Sequence, residues 1–220
     1  MTDKNPERLL AIGDIHGCFD LLQKLLTDVA PGPEDQLVFL GDYIDRGPAS
    51  RQVIECLLDL QRQFPETVFL RGNHEQMLLD FLAGDDHLMF LLNGGNATLE
   101  SYQSTDNSKP VIPPDHLSFF NNLKNSYIHG DYIFVHAGLR PGVPISNQDE
   151  YDMLWIRGEF INSDYDWGKT VVFGHSPQPE VLLRDNMVGL DTGAVYNNRL
   201  SCCDLLTRNI WQASAIDLPD

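Results

Sequence analysis

The sequence predicts an α/β sandwich, two β-sheets flanked by helices, and three observations predict it. Short apolar runs alternate with helical stripes through the first third. The last third turns to short strands separated by turn residues. Hydrophobic residues make up 42% of a 220-residue chain, enough for a sizeable core, and the expected organisation is one domain over residues 1–220.

Each element has its own warrant. "RLLAI" is the first strand, and Leu21, Leu22, Leu25, Leu26 and Val29 follow at helical spacing. Pro31-Gly32-Pro33 breaks the chain before the strand "QLVFL". Val53, Ile54, Leu57 and Leu58 mark a second helix opened near Pro48. "TVFL" is a third strand, with Met77, Leu78, Phe81 and Leu82 marking the helix after it. The stretch "DDHLMFLLNGGNATLESY" reads as helix, a Gly-Gly break and helix again. Residues 106–114 form a polar, Pro-rich surface loop, with a helix over 115–125 behind Pro113-Pro114. "SYIH-GD-YIFVH" is a hairpin around Gly130-Asp131, and "KTVVFGH", "MVGLD" and "RLSCCDLL…NIWQAS" supply further short strands.

Composition excludes several functions. A net charge of −17 and a sequence pI near 4.5 argue against a basic nucleic-acid surface, and hence against a nuclease. No apolar run approaches the ~20 residues of a membrane span, and "MTDKNPERLL" lacks a signal-peptide pattern, so a cytoplasmic location is expected. Cys18, Cys56, Cys202 and Cys203 form no CxxC pair and read as reduced thiols. Cys202 and Cys203 are adjacent on a strand and so point to opposite faces, which favours ordinary strand residues over a metal pair.

The chemistry collects at strand ends. "LLAIGDIHG" delivers Asp14 and His16, "LVFLGDYIDRG" delivers Asp42, Asp45 and Arg46, and "VFLRGNHE" delivers Asn73, His74 and Glu75. "YIFVHAG" and "TVVFGHS" add His136 and His175. Alone, each is a turn, an N-cap or a hydrogen-bonded histidine. Together they put Asp, Asn and His on one rim, where ligand sites form in open α/β sheets. Oxygen and imidazole ligands without thiolate suit manganese, iron or zinc. There are more of them than one cation needs, which fits two divalent ions bridged by a carboxylate, and Asp42 is the natural bridge. Arg46 has a planar fork that can grip phosphate oxygens. His74 could protonate a leaving alkoxide, and Asp45 could orient its ring.

"GDIHG", "GDYIDRG" and "GNHE", followed by "HAG" and "GHS", resemble the phosphoprotein phosphatase family of metallophosphoesterases, closest to the small bacterial and phage-type serine/threonine phosphatases. The resemblance runs from about Leu9 to Leu206 and implies the calcineurin-like metallophosphoesterase fold. It implies one metal, manganese first, held by Asp14, His16 and Asp42, and a second held by Asp42, Asn73, His136 and His175. It also implies His74 as general acid with Asp45 as its partner, Arg46 as a phosphate clamp, and Arg157 in "MLWIRGEF" as a second clamp. The expected reaction is hydrolysis of a phosphoprotein or small phosphomonoester, by direct attack of a metal-bridging hydroxide, with no obligate partner. Serine, threonine and tyrosine esters all remain open as substrates. The loop holding Tyr196 and Arg199 would lie over the site. "DTG" at Asp191-Thr192-Gly193 keeps symmetrical diadenosine tetraphosphate hydrolysis open, and a non-catalytic metal-binding scaffold is the rival from another class.

Overall fold

In the computed structural model, residues 6–103, 110–196 and 198–218 are described. Strands β1 (Leu9–Ile12), β2 (Gln36–Phe39) and β3 (Val68–Phe69) alternate with helices α1 (Phe19–Val29), α2 (Ser50–Gln63) and α3 (Asn73–Ala83). Helices α4 (His87–Phe90), α5 (Asn96–Ser101) and α6 (Pro114–Asn121) follow. The second half contributes β4 (Ser126–His129), β5 (Tyr132–Val135), α7 (Glu150–Trp155), α8 (Gly158–Ile161), β6 (Thr170–Phe173), β7 (Leu182–Leu183), β8 (Met187–Gly189), β9 (Arg199–Asp204) and β10 (Ile210–Ser214).

The strands form two five-stranded sheets, in the orders β10-β9-β1-β2-β3 and β4-β5-β6-β8-β7. Strand alternation divides the core into layers. Leu9, Ala11, Val38, Leu40, Phe134, Val172 and Val188 face one another between the sheets. Leu10, Ile12, Leu37 and Phe39 face α1 and α2 through Leu22, Leu25, Ile54 and Leu57. On the far side, Ile133, Val135, Val171 and Phe173 pack on Ile156 and Phe160. Cys202 belongs to one layer and Cys203 to the other, as their adjacency on β9 requires.

The predicted sandwich of two flanked sheets is observed, and β4–β5 is the expected hairpin. Two differences matter. The centre of the second sheet is parallel, β5 to β6 and β6 to β8, because the chain between β5 and β6 crosses over through α7 and α8. Helix α6 stops at Asn121 rather than near residue 125, since Lys124 bridges to Leu70 at the edge of the first sheet. Part of the loop expected over 106–114, residues 106–109, lies outside the described residues.

Candidate active site

Five strand ends meet at one rim of the sandwich. Asp14 and His16 follow β1, Asp42 follows β2, Asn73 opens α3 after β3, His136 follows β5 and His175 follows β6. All six are buried. Among the described residues, seven other than glycine adopt positive φ, and five of them are here: His16, Asp42, Asp45, Arg46 and His175. A left-handed conformation costs an L-residue roughly 1–2 kcal/mol. Such strain persists where the surroundings hold it, and it clusters at functional sites.

Asp42 lies at the centre. Its Oδ1 is 3.3 Å from His136 Nε2, and its Oδ2 is 3.5 Å from His16 Nε2. His136 Nε2 is 3.0 Å from Asn73 Oδ1. The other ring nitrogens of His16 and His136 lie 2.9 and 2.8 Å from the carbonyls of Ile44 and Leu40, a contact that turns Nε2 toward Asp42 in each. Asp14 Oδ2 accepts from the His175 backbone N–H at 2.9 Å. Gly174 makes that approach possible, because a Cβ there would collide with the Asp14 carboxylate.

The donor set fits divalent cations. Candidate ligand atoms of His16, Asp42 and His74 lie within 4.8 Å of one another, as do those of Asp42, His136 and His175, so the two groups share Asp42. Among the described residues, Asp14 Oδ1 and His175 Nε2 are buried without a protein partner, a costly state for polar atoms unless a ligand supplies one. Burial, opposed by Asp42, pushes His16 down to about 3, and burial with His136 pushes His175 down to about 2. Both imidazoles are therefore neutral, the form that binds metal. Burial, Asp191 and Asp42 raise Asp14, whereas His136 and His74 outweigh burial at Asp42 and hold it well below the carboxylate range. Asp42 among buried imidazoles, with Asp14 Oδ1 and His175 Nε2 unpartnered among the described residues, makes a candidate cation cradle.

Beside the cradle, His74 Nδ1 is 2.7 Å from Asp45 Oδ2, and His74 Nε2 is buried without a protein partner among the described residues. Asp45 is fully buried, which sets aside a surface ion pair with Arg46. Burial lowers His74 to about 4 and raises Asp45 to about 8, the latter against hydrogen bonding from Thr98. Arg46 reaches His16 Nε2 at 2.7 Å and stacks near the exposed ring of Tyr196, 5.8 Å from its centroid. Arg157 donates to the His175 carbonyl at 2.7 Å and so borders the site. Arg199 instead pairs with Glu180 and Gln212.

Trp155 packs edge-on against His175 and forms one wall of a cleft of about 430 Å³. Met77, Met89 and Tyr151 line it, with Asp80, Asp86 and Glu150 as its acidic groups. Two supporting residues carried no role in the sequence reading. The Glu75 carboxylate accepts from the backbone N–H groups of Asp42, Tyr43 and Gly72 at 2.8–2.9 Å, tying the end of β2 to the start of α3. Its signal was present: Glu at the third position of a helix reaches back to the cap. Thr98 bonds Asp45 from more than fifty residues away, and nothing local marks it.

Residues 7–209 match the family described as calcineurin-like phosphoesterase. Serine/threonine-protein phosphatase 1 of Salmonella typhimurium is 33% identical over 211 residues, covering 90% of this chain and 92% of that protein. An asymmetrical bis(5'-nucleosyl)-tetraphosphatase of Anoxybacillus flavithermus is 30% identical over 216 residues, 86% of this chain and 87% of that protein. The crystal structure of a candidate diadenosine tetraphosphatase superimposes with a TM-score of 0.77 at 25% identity, covering 97% of this chain and 96% of that one.

Proposed function

The chain belongs to the calcineurin-like phosphoesterase family of hydrolases, and on that premise we propose that it is a manganese-dependent phosphoprotein phosphatase acting on serine and threonine esters, and on tyrosine esters where they reach the site. The observation that carries the reading is Asp42, placed between two histidine groups with the His74–Asp45 pair alongside.

Asp14, His16 and Asp42 would hold one divalent ion, and Asp42, Asn73, His136 and His175 a second. When bound, the two ions supply Lewis-acid charge for the phosphoryl oxygens and an ionised water at neutral pH. The remaining work falls to this chain's own groups. Arg46 and Arg157 bind the phosphoryl oxygens and orient the ester. His74 gives a proton from Nε2 to the leaving oxygen, while Asp45 holds Nδ1. A bound phosphoester's negative charge favours the protonated imidazole, which opposes the effect of burial. This local positive charge also lets an acidic protein receive an anionic substrate.

The finer substrate choice rests on two supports. The relative with 33% identity is a serine/threonine phosphatase. The cleft at Trp155 combines apolar walls with Asp80, Asp86 and Glu150, which suits peptide side chains and repels a polyphosphate. A second reading, hydrolysis of bis(5'-nucleosyl) tetraphosphates, is favoured by other relatives and by the superimposable structure. Those relatives are named for the asymmetrical reaction, so the second reading takes in asymmetrical as well as symmetrical cleavage. Parallel assays of a phosphothreonine peptide and diadenosine tetraphosphate with manganese separate the readings. Phosphate release from the peptide at a kcat/KM at least tenfold higher supports the phosphatase, and the reverse ratio overturns it.

A further inference from the structure

We propose that Thr98 is a positioning residue for the His74–Asp45 pair, acting as a hydroxyl clip that holds the Asp45 carboxylate in its working orientation. The proposal rests on the reading of His74 as general acid.

Thr98 Oγ donates to Asp45 Oδ1 at 2.6 Å, leaving Oδ2 to His74 Nδ1 at 2.7 Å. The same hydroxyl oxygen accepts from the Asp45 backbone N–H at 2.9 Å. One side chain thus closes a ring through both the backbone and the carboxylate of Asp45. Ser50 Oγ lies 3.0 Å from Thr98 Oγ and 3.1 Å from the Asp45 nitrogen. With the Thr98 proton committed to Asp45, Ser50 is the donor in that hydroxyl pair. All three residues are fully buried, so water cannot replace these bonds. Asp45 also has φ +71°, a conformation its surroundings must enforce.

The placement depends on the chain break before α5. Gly94 has φ +100°, its carbonyl accepts from the Arg46 N–H at 3.2 Å, and a Cβ there would press on Arg46. The segment from Gly94 to Thr98 therefore seats Asp45 and Arg46 together. Carboxylate orientation controls the imidazole beside it, so loss of the clip should damage proton delivery rather than ester binding.

The test uses the full chain with added manganese. Phenyl phosphate, with a poor leaving group, is compared with p-nitrophenyl phosphate, whose leaving group needs little protonation. T98V should lower kcat for phenyl phosphate about tenfold, leave its KM within twofold, and reduce p-nitrophenyl phosphate turnover by less than threefold. T98S, which keeps the hydroxyl, should restore kcat to within twofold. In an H74N background T98V should change kcat less than twofold, because residues acting as one unit are not additive. Equal losses on both substrates, failure of T98S to rescue, or a further loss on top of H74N would overturn the clip. Equal losses from H74N itself would instead overturn the reading of His74. If T98V does not fold, T98A carries the same comparison.

Discussion

His74 and Asp45 show how far a single residue's environment sets its chemistry. A histidine after Asn73 is unremarkable until Asp45 Oδ2 is found 2.7 Å from its Nδ1, with Nε2 facing the site. His74→Asn should lower turnover of phenyl phosphate at least tenfold more than that of p-nitrophenyl phosphate, measured as a kcat ratio. Equal losses would remove the proton-donor role. The strand-end residues were legible because each follows an apolar run and precedes a helix or turn. Thr98 was not legible, because its contact is made only when α5 packs beside α2. Arg199 was legible as a cation, but its partners Glu180 and Gln212 hold it on the sheet.

At the scale of elements, Glu75 joins two of them. Its carboxylate accepts three buried N–H groups, from the turn after β2 and the start of α3. Orphaning buried donors costs roughly 1–3 kcal/mol each, so Glu75→Ala should lower unfolding free energy by about 3 kcal/mol or more in a urea titration. A change below about 1 kcal/mol would show that the joint is dispensable. Gly174→Ala tests the approach of β6 to β1. Its Cβ would displace Asp14, so manganese affinity by calorimetry should fall at least tenfold while β6 itself is retained. The first sheet's βαβ order was readable from alternating periods. The parallel centre of the second sheet was not, because "EYDMLWIRGEF" folds into two helices of six and four residues, too short to show a helical period.

For the whole molecule, the sandwich brings separate strand ends to one rim, and its charge adds a long-range effect. A net charge of −17 repels an anionic substrate at long range. Raising ionic strength from about 10 to 150 mM, which shortens the screening length from about 30 to 8 Å, should therefore increase kcat/KM for an acidic phosphopeptide. A phosphopeptide rich in lysine should show the opposite slope, and identical slopes would rule out an effect of the net charge on association. Asp42 is proposed to be shared by two cation sites. Titrating manganese into the wild-type chain and D42N by calorimetry tests this sharing. Two equivalents are expected for wild type, with both weakened at least tenfold in D42N and p-nitrophenyl phosphate turnover reduced at least a hundredfold. Two undisturbed equivalents with wild-type turnover in D42N would contradict it.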